Sequence, residues 1–329
     1  MRQATLFIVS LFFASWAHAS AGVIVLHASY GTPERVVVNG RILEASQTRA
    51  PDAQRDRFTN FVDTLRVFDT NEIEGAVVAI ALGNQRQRAT TDADGLFSAT
   101  LDMSAAPLGF GWHTYTVSLV VDKGHPASSA TGRALVIAGT GVAVISDFDD
   151  TVVESRVTAK GELLVRTFTR NAHQLEPVPG VGEAYRAMAA AGAAAFFYVS
   201  GSPQNLYQRI IDYLEFQNLP PGVVLLKNFG QDGLSEQHAY KTRRIEALLA
   251  QFPALQFVLV GDTGEQDPEI YRDIAERRRE RVRAIVIRRA MGGDETPARL
   301  KGMVVVSDYR EQAQRLAELV QPLSSGATR

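Results

Sequence analysis

The 329-residue chain contains no cysteine, so disulfides, thiolate nucleophiles and Cys-ligated zinc are all unavailable to it. Neither sign of charge dominates: 34 Lys and Arg stand against 36 Asp and Glu. A nucleic-acid-binding domain normally carries a strong basic excess, so no nucleic-acid partner is expected. Long apolar runs are also missing beyond the first twenty residues, and none elsewhere approaches the roughly 20 residues that cross a bilayer as a helix. No internal repeat is visible.

What is present begins with Met1-Arg2, then the apolar stretch Leu6-Phe7-Ile8-Val9-Ser10-Leu11-Phe12-Phe13-Ala14, and then Ala17-His18-Ala19. A basic start, a short apolar stretch and a small-x-small site are the three parts of a secretory signal peptide. Residues 1–19 are therefore expected to be removed after Ala19, leaving a soluble exported protein, with a bacterial periplasm the best fit.

Two textures follow. From about residue 22 to residue 140 the apolar residues come in short runs rich in Val, Ile and Thr: Val23–Leu26, Val36–Val38, Ala76–Ile80 and Thr114–Val121. Turn formers separate them at Asn39-Gly40, Asp94-Gly95 and Gly124-His125-Pro126, the pattern of an all-β sandwich domain. Within it Asp92-Ala93-Asp94-Gly95 has the opening of a calcium loop but lacks the later ligands, and reads as a hairpin turn. Arg55–Arg66 reads equally as a short helix or an irregular connection. From residue 141 to residue 322 apolar strands alternate with helical patterns, which predicts an α/β fold with a parallel sheet covered on both faces. Strands are expected at Val142–Ser146, Ala194–Val199, Val223–Leu226, Phe257–Val260 and Arg283–Ile287, and helices at Gly182–Ala191, Asn205–Phe216, Lys241–Gln251 and Pro268–Arg279. Residues 323–329 read as a disordered tail.

The chemistry sits at strand ends. Val142-Ala143-Val144-Ile145-Ser146 runs into Asp147-Phe148-Asp149-Asp150-Thr151. In a strand, alternate side chains share a face, so this spacing can present Asp147 and Asp149 to one bound group. Paired carboxylates repel one another unless a cation or a shared proton offsets them. The ordinary alternative is a strand followed by an Asx-type turn. A second strand end delivers Ser200-Gly201-Ser202-Pro203 before a helix, either an anion cradle or a plain helix cap. A third, Gly261-Asp262-Thr263-Gly264-Glu265-Gln266-Asp267-Pro268, offers Asp262 and Asp267 as oxygen ligands for a hard cation, although Asp267 beside Pro268 is also a good helix start. Between the last two stands Lys241, placed to offset clustered carboxylates, with Lys227 as its rival.

Taken in order, Asp147-x-Asp149-x-Thr151, Ser200, Lys241 and Gly261-Asp262-x-x-x-x-Asp267 resemble the four motifs of the haloacid dehalogenase (HAD) superfamily of phosphohydrolases. Within it, Ile145–Thr151, Tyr198–Pro203 and Val260–Tyr271 resemble the actin-patch-associated type of phosphatidate phosphatase. The similarity covers roughly residues 142 to 288, and the front half resembles the domain that precedes the catalytic one in bacterial members. The resemblance implies a HAD-like Rossmannoid sheet and Mg2+-dependent hydrolysis of phosphatidate to diacylglycerol. It implies Asp147 as the nucleophile, and Asp149 as the group that protonates the leaving oxygen and then activates water. Thr151 and Ser200 would hydrogen-bond the phosphoryl oxygens and Lys241 would offset charge. Asp147, Asp262, Asp267 and the Asp149 backbone carbonyl would hold Mg2+.

About fifty residues separate Asp147 from Ser200 and about forty separate Ser200 from Lys241, which leaves little room for a large cap. An open site suits phosphate presented on something large, so a phospholipid phosphate substrate and peripheral membrane contact are expected; the β domain's own protein partner has no signature. The run Arg277–Arg283 reads first as a solvated helix end and second as a headgroup contact. Two other readings stand beside the lipid one. One is an exported phosphatase for a soluble phosphomonoester or phosphoprotein. The other is a non-catalytic binding protein that works through its β sandwich.

Overall fold

The computed structural model describes residues 22–44, 72–120, 128–154, 171–228 and 237–321. The expected signal peptide, the Arg55–Arg66 segment, the Gly124-His125-Pro126 turn and the C-terminal tail lie outside the described residues.

Eight strands form the front half: β1 (Gly22–Leu26), β2 (Ser29–Thr32), β3 (Arg35–Glu44), β4 (Val77–Leu82), β5 (Gln85–Thr90), β6 (Leu96–Asp102), β7 (Gly111–Leu119) and β8 (Ser129–Val136). They join in one mixed sheet, ordered β1-β3-β2-β8-β7-β4-β5 with β6 on β3; β2–β8 is its parallel pair. Strict alternation drives this: Val36, Val38 and Ile42 of β3 and Val78, Ile80 and Leu82 of β4 turn into one buried cluster with Phe97, Leu101, Tyr115 and Val117. Asp94-Gly95 is the turn expected of it, with Asp92 Oδ1 accepting from Asp94 N and Leu96 N at 3.0 and 2.9 Å.

Asn39-Gly40, by contrast, is no turn but lies in the middle of β3, paired with Ser98 and Phe97 of β6. Gly40 is there because a Cβ would sit 2.4 Å from the Phe97 ring and 2.8 Å from the Val25 carbonyl.

The second half contains six parallel strands: β9 (Gly141–Ser146), β10 (Phe196–Pro203), β11 (Val223–Lys227), β12 (Leu255–Asp262), β13 (Val282–Arg288) and β14 (Val304–Val306). Among the described residues five α-helices cover them: α1 (Val181–Ala190), α2 (Tyr207–Phe216), α3 (Gln237–Gln251), α4 (Asp267–Arg277) and α5 (Tyr309–Val320). The strand order β11-β10-β9-β12-β13-β14 is that of a doubly wound sheet, with the chain reversing its direction of growth between β9 and β12. Val142, Val144, Val258 and Val260 face α1, α2 and α5, while Ala143, Ile145, Phe257 and Leu259 face α3 and α4. Both faces are thus apolar, as a fully covered parallel sheet requires.

The two halves share a core. Ala28, Leu135 and Ile137 join the cluster on the α3 and α4 face, and the Tyr30 ring meets Phe197 edge-on at 6.0 Å. Every expected strand and helix of the second half is present, and β14 and α5 are additional. No helix among the described residues is long and apolar enough to cross a membrane.

Enlarging Gly40 to Val is expected to cost about 1–3 kcal/mol through overpacking against Phe97. Urea unfolding reads this directly; an unchanged midpoint would mean that β6 does not close on β3 at that point.

Candidate active site

In an open parallel sheet, ligands bind beyond the carboxyl ends of the strands where the winding reverses. Here that crevice lies between the tips of β9 and β12. Asp147 follows β9 directly, continues the face of Ala143 and Ile145, and is held by its N–H donating to the Val260 carbonyl at 2.8 Å. The same face is covered by α3 and α4, whose first turns carry Lys241 and Asp267. Lys241 is buried and reaches Asp147 Oδ1 and Asp267 Oδ1 at 2.7 Å each, and Glu265 Oε2 at 2.8 Å. One carboxylate oxygen from each of Asp147, Asp262, Glu265 and Asp267 lies within 4.8 Å of the others. It is therefore Lys241 whose ammonium meets Asp147; Lys227 is buried at the tip of edge strand β11, opposite Pro203.

The loop after β12 is tightly built. Asp262 Oδ1 accepts from Gly264 N at 2.6 Å and Glu265 N at 3.2 Å, and Asp267 Oδ2 accepts from Asp262 N at 3.3 Å. Asp267 lies so close to Gly261 that a Cβ there would fall 2.4 Å from its Oδ2. From outside, Arg299 donates to the Thr263 carbonyl at 2.7 Å, to the Glu265 carbonyl, and to both oxygens of Glu269.

Asp149 is not placed by strand alternation. The strand ends at Ser146, and Asp149 lies where a tight turn begins, with Asp150 in the left-handed region (φ 53°). Its Oδ2 accepts from Ser200 Oγ at 3.1 Å and Ser202 Oγ at 3.2 Å. Ser200 Oγ in turn accepts from Ser202 N at 3.0 Å. Thr151 is fully buried and points its hydroxyl toward Asp262 Oδ2 at 3.5 Å.

Electrostatically the site is short of positive charge. Burial raises Asp147, Asp262 and Asp267 above the ordinary carboxylate range, and their mutual repulsion adds to the rise in Asp147 and Asp262, while Lys241 works against it. Burial alone would lower Lys241, but the carboxylates around it outweigh that and hold the ammonium well above its usual value. Burial, aided by the charge of Glu265, pushes Asp149 up to about 6. One lysine cannot balance four carboxylates, and the buried Asp147 Oδ2 has no hydrogen-bond partner. An all-oxygen donor set with an unpartnered buried oxygen fits a hard divalent cation. Asp147 Oδ2 is the free oxygen for it, and among the described residues Asp262 Oδ2 meets only the Thr151 hydroxyl at 3.5 Å; both oxygens of Asp267 meet closer protein donors.

All the residues expected from the sequence, Asp147, Asp149, Thr151, Ser200, Lys241, Asp262 and Asp267, thus gather around one crevice. Glu265 belongs there as well, and a third acid between two candidate ligands was the signal for it. Gln237 joins by donating to Glu265 Oε2 at 2.6 Å. The basic run Arg277–Arg283 sits at the opposite end of the sheet, where β13 begins. Arg281 donates to the Leu249, Phe252 and Leu255 carbonyls, and Arg277 and Arg278 pair with Glu246. It closes the end of α3 and lies far from any headgroup bound in the crevice.

Residues 142–289 match the family model of the phosphatidate phosphatase APP1 catalytic domain. The matched stretch carries every residue of the crevice. Over 164 residues the chain is 32% identical to phosphatidate phosphatase APP1 of Saccharomyces cerevisiae, covering 49% of this chain and 28% of that protein. Over 160 residues it is 29% identical to an uncharacterized protein of Schizosaccharomyces pombe, covering 47% and 26%. The chain thus spans little more than a quarter of the length of these curated relatives. Among solved structures, DsGPDH of Dunaliella salina is 18% identical with a TM-score of 0.34, covering 52% of this chain and 35% of that one. A bacterial immunoglobulin-like domain of the M. primoryensis ice-binding adhesin is 17% identical with a TM-score of 0.21, covering 36% and 96%. Likenesses this low carry no argument.

Replacing Lys241 with Met strips the buried carboxylates of their counter-charge and is expected to cost about 3–5 kcal/mol in the metal-free chain. Adding Asp147→Asn to Lys241→Met is expected to return part of that loss. Strict additivity of the two losses in urea melts would show that the pair is not coupled.

Proposed function

We propose that the chain is a Mg2+-dependent phosphatidate phosphatase of the HAD type, releasing diacylglycerol and phosphate through an aspartyl-phosphate. The observation that carries the reading is the buried Asp147 carboxylate, with one oxygen on Lys241 and the other without a partner, at the tip of the strand where the winding reverses. The substrate class is carried by the match to the APP1 catalytic domain.

Asp147 attacks phosphorus and the ester P–O bond breaks; Asp149 gives its proton to the departing glyceryl oxygen. Burial brings the Asp149 carboxyl up to about 6, close enough to neutral pH to give a proton in one step and take one in the next. Asp149, now ionised, takes a proton from water, whose oxygen attacks phosphorus and releases Asp147 and inorganic phosphate. Splitting one displacement into two lowers the barrier of each. Lys241 holds the attacking carboxylate in line, Ser200 and Ser202 hold Asp149, and Thr151 steadies Asp262. Asp147, the Asp149 backbone carbonyl, Asp262 and, behind Lys241, Asp267 would hold Mg2+. When bound, Mg2+ supplies the positive charge that offsets the phosphoryl oxygens.

The short spacings from Asp147 to Ser200 and from Ser200 to Lys241 leave little room for a large cap, which suits a phosphate carried on a bilayer. The Met1–Ala19 composition supports export, with the periplasm as the place of action. The decisive assay sets phosphatidate in mixed micelles beside soluble phosphomonoesters, with Mg2+ or a chelator, for the parent chain and Asp147→Asn. Phosphate release from phosphatidate that needs Mg2+ and is abolished by Asp147→Asn is expected, and Asp149→Asn is expected to accumulate the covalent intermediate. Turnover confined to soluble esters would replace the lipid reading, and no turnover in any arm would leave a binding protein.

Mg2+ at a hundredfold its dissociation constant is expected to stabilise the parent by about 2.7 kcal/mol by mass action. Thermal melts should show the rise in Tm, and Asp262→Asn should remove it; a parent melt indifferent to Mg2+ would contradict the metal site.

A further inference from the structure

Arg288 ends β13 directly beside Asp262 and is 8% exposed. Its backbone carbonyl accepts from Thr263 N at 3.0 Å, so its main chain braces the loop after β12. Its side chain crosses to the loop after β9: Nη1 donates to the Asp150 carbonyl at 2.9 Å and Nη2 to Glu154 Oε1 at 3.2 Å. A buried guanidinium is costly unless its donors are met, and here Nε meets none. The cost is tolerated at a position that links two loops of the crevice.

The residue it grips is unusual. Asp150 has φ 53°, a region that a non-glycine residue adopts only when its surroundings hold it there. The turn is closed locally by Asp150 N donating to the Val153 carbonyl at 2.8 Å, and by Val152 N and Val153 N on the Phe148 carbonyl at 2.9 and 3.0 Å. To these bonds Arg288 adds one on the Asp150 carbonyl itself, from a strand on the other side of the crevice. The preceding residue is Asp149, whose carboxylate accepts from the Ser200 and Ser202 hydroxyls, so the held turn begins directly after it.

We infer that Arg288 is a positioning residue for the proposed phosphatase reaction: by holding the Asp150 carbonyl it keeps the left-handed turn that aims Asp149 at the reacting group. The inference rests on the function proposed above. Its Glu154 bond serves only to anchor the guanidinium. A side chain displaced by about 1 Å can lose on the order of a hundredfold in rate, so Arg288→Met is expected to lower kcat about that much with little change in KM. Glycine takes positive φ without support. Asp150→Gly added to Arg288→Met is therefore expected to restore much of kcat, whereas Glu154→Gln alone should leave it near the parent value.

The test uses a soluble aryl phosphate with Mg2+, so that it does not depend on the lipid, together with Tm for each variant and a crystal structure of Arg288→Met. The inference is supported by a fall in kcat, its recovery with Asp150→Gly, and an Asp149 carboxylate withdrawn from the Ser200 and Ser202 hydroxyls. It is overturned if Arg288→Met keeps its kcat, if the double variant is no better than the single one, or if Asp149 stays within 3.1–3.2 Å of both serines. A parent chain that cleaves no ester overturns the proposed function instead, and the crystal structure of the variant then decides this point alone.

Discussion

The site is organised around one ammonium group in a buried acidic cluster. Lys241 comes from the first turns of α3 and meets carboxylates delivered by the tip of β9, the loop after β12 and the start of α4. Its three partners therefore fix how that helix and these two loops approach one another. Like charges brought this close raise one another's pKa and destabilise the fold unless something offsets them. The lysine offsets only part, and the remainder makes the cluster a receptor for positive charge. Under the proposed function, that same imbalance is what a divalent cation would offset.

How much of this was legible in the sequence differs between the two halves. The second half is legible almost element by element, because buried parallel strands appear as unbroken apolar runs and their tips as sudden polar residues. Asp147, Asp262 and Lys241 stood out since each breaks such a run or opens a helix. β14 and α5 were not anticipated. The first is only Val304–Val306, too short to show a period. The second carries a readable signal: Asp308 caps it by accepting from Arg310 N, and Tyr309, Leu316 and Val320 recur on one buried face.

In the front half the alternation of buried residues was clear, but Asn39-Gly40 misled. The pair favours a hairpin turn on local grounds, yet Gly40 serves the approach of Phe97 and of the β1 backbone in the middle of β3. A glycine chosen for lack of volume and one chosen for positive φ look alike in sequence; only the neighbours tell them apart. The same limit applies to Asp149. Period-two spacing suggested that it shared a strand face with Asp147, whereas the strand stops at Ser146 and Asp149 lies where the turn at Asp150 begins.

Glu265, Arg288 and Arg299 share one property that hid them. Each acts on groups distant in the chain: Glu265 on Lys241 and Gln237, Arg288 on Asp150 and Glu154, Arg299 on the Thr263 and Glu265 carbonyls. Local pattern carries no record of such partners, and an arginine after a strand reads as a surface charge. Yet Arg288 ties the loop after β9 to the end of β13, while Glu265 and Arg299 tie the loop after β12 to its neighbours, which separates the tasks. In the proposed reaction Asp147 and Asp149 would supply the chemistry, and the long side chains behind them supply the geometry. A site of this kind can keep its reacting groups unchanged and still alter its rate through the braces, since a carboxylate aimed wrongly by an ångström is chemically intact and catalytically poor.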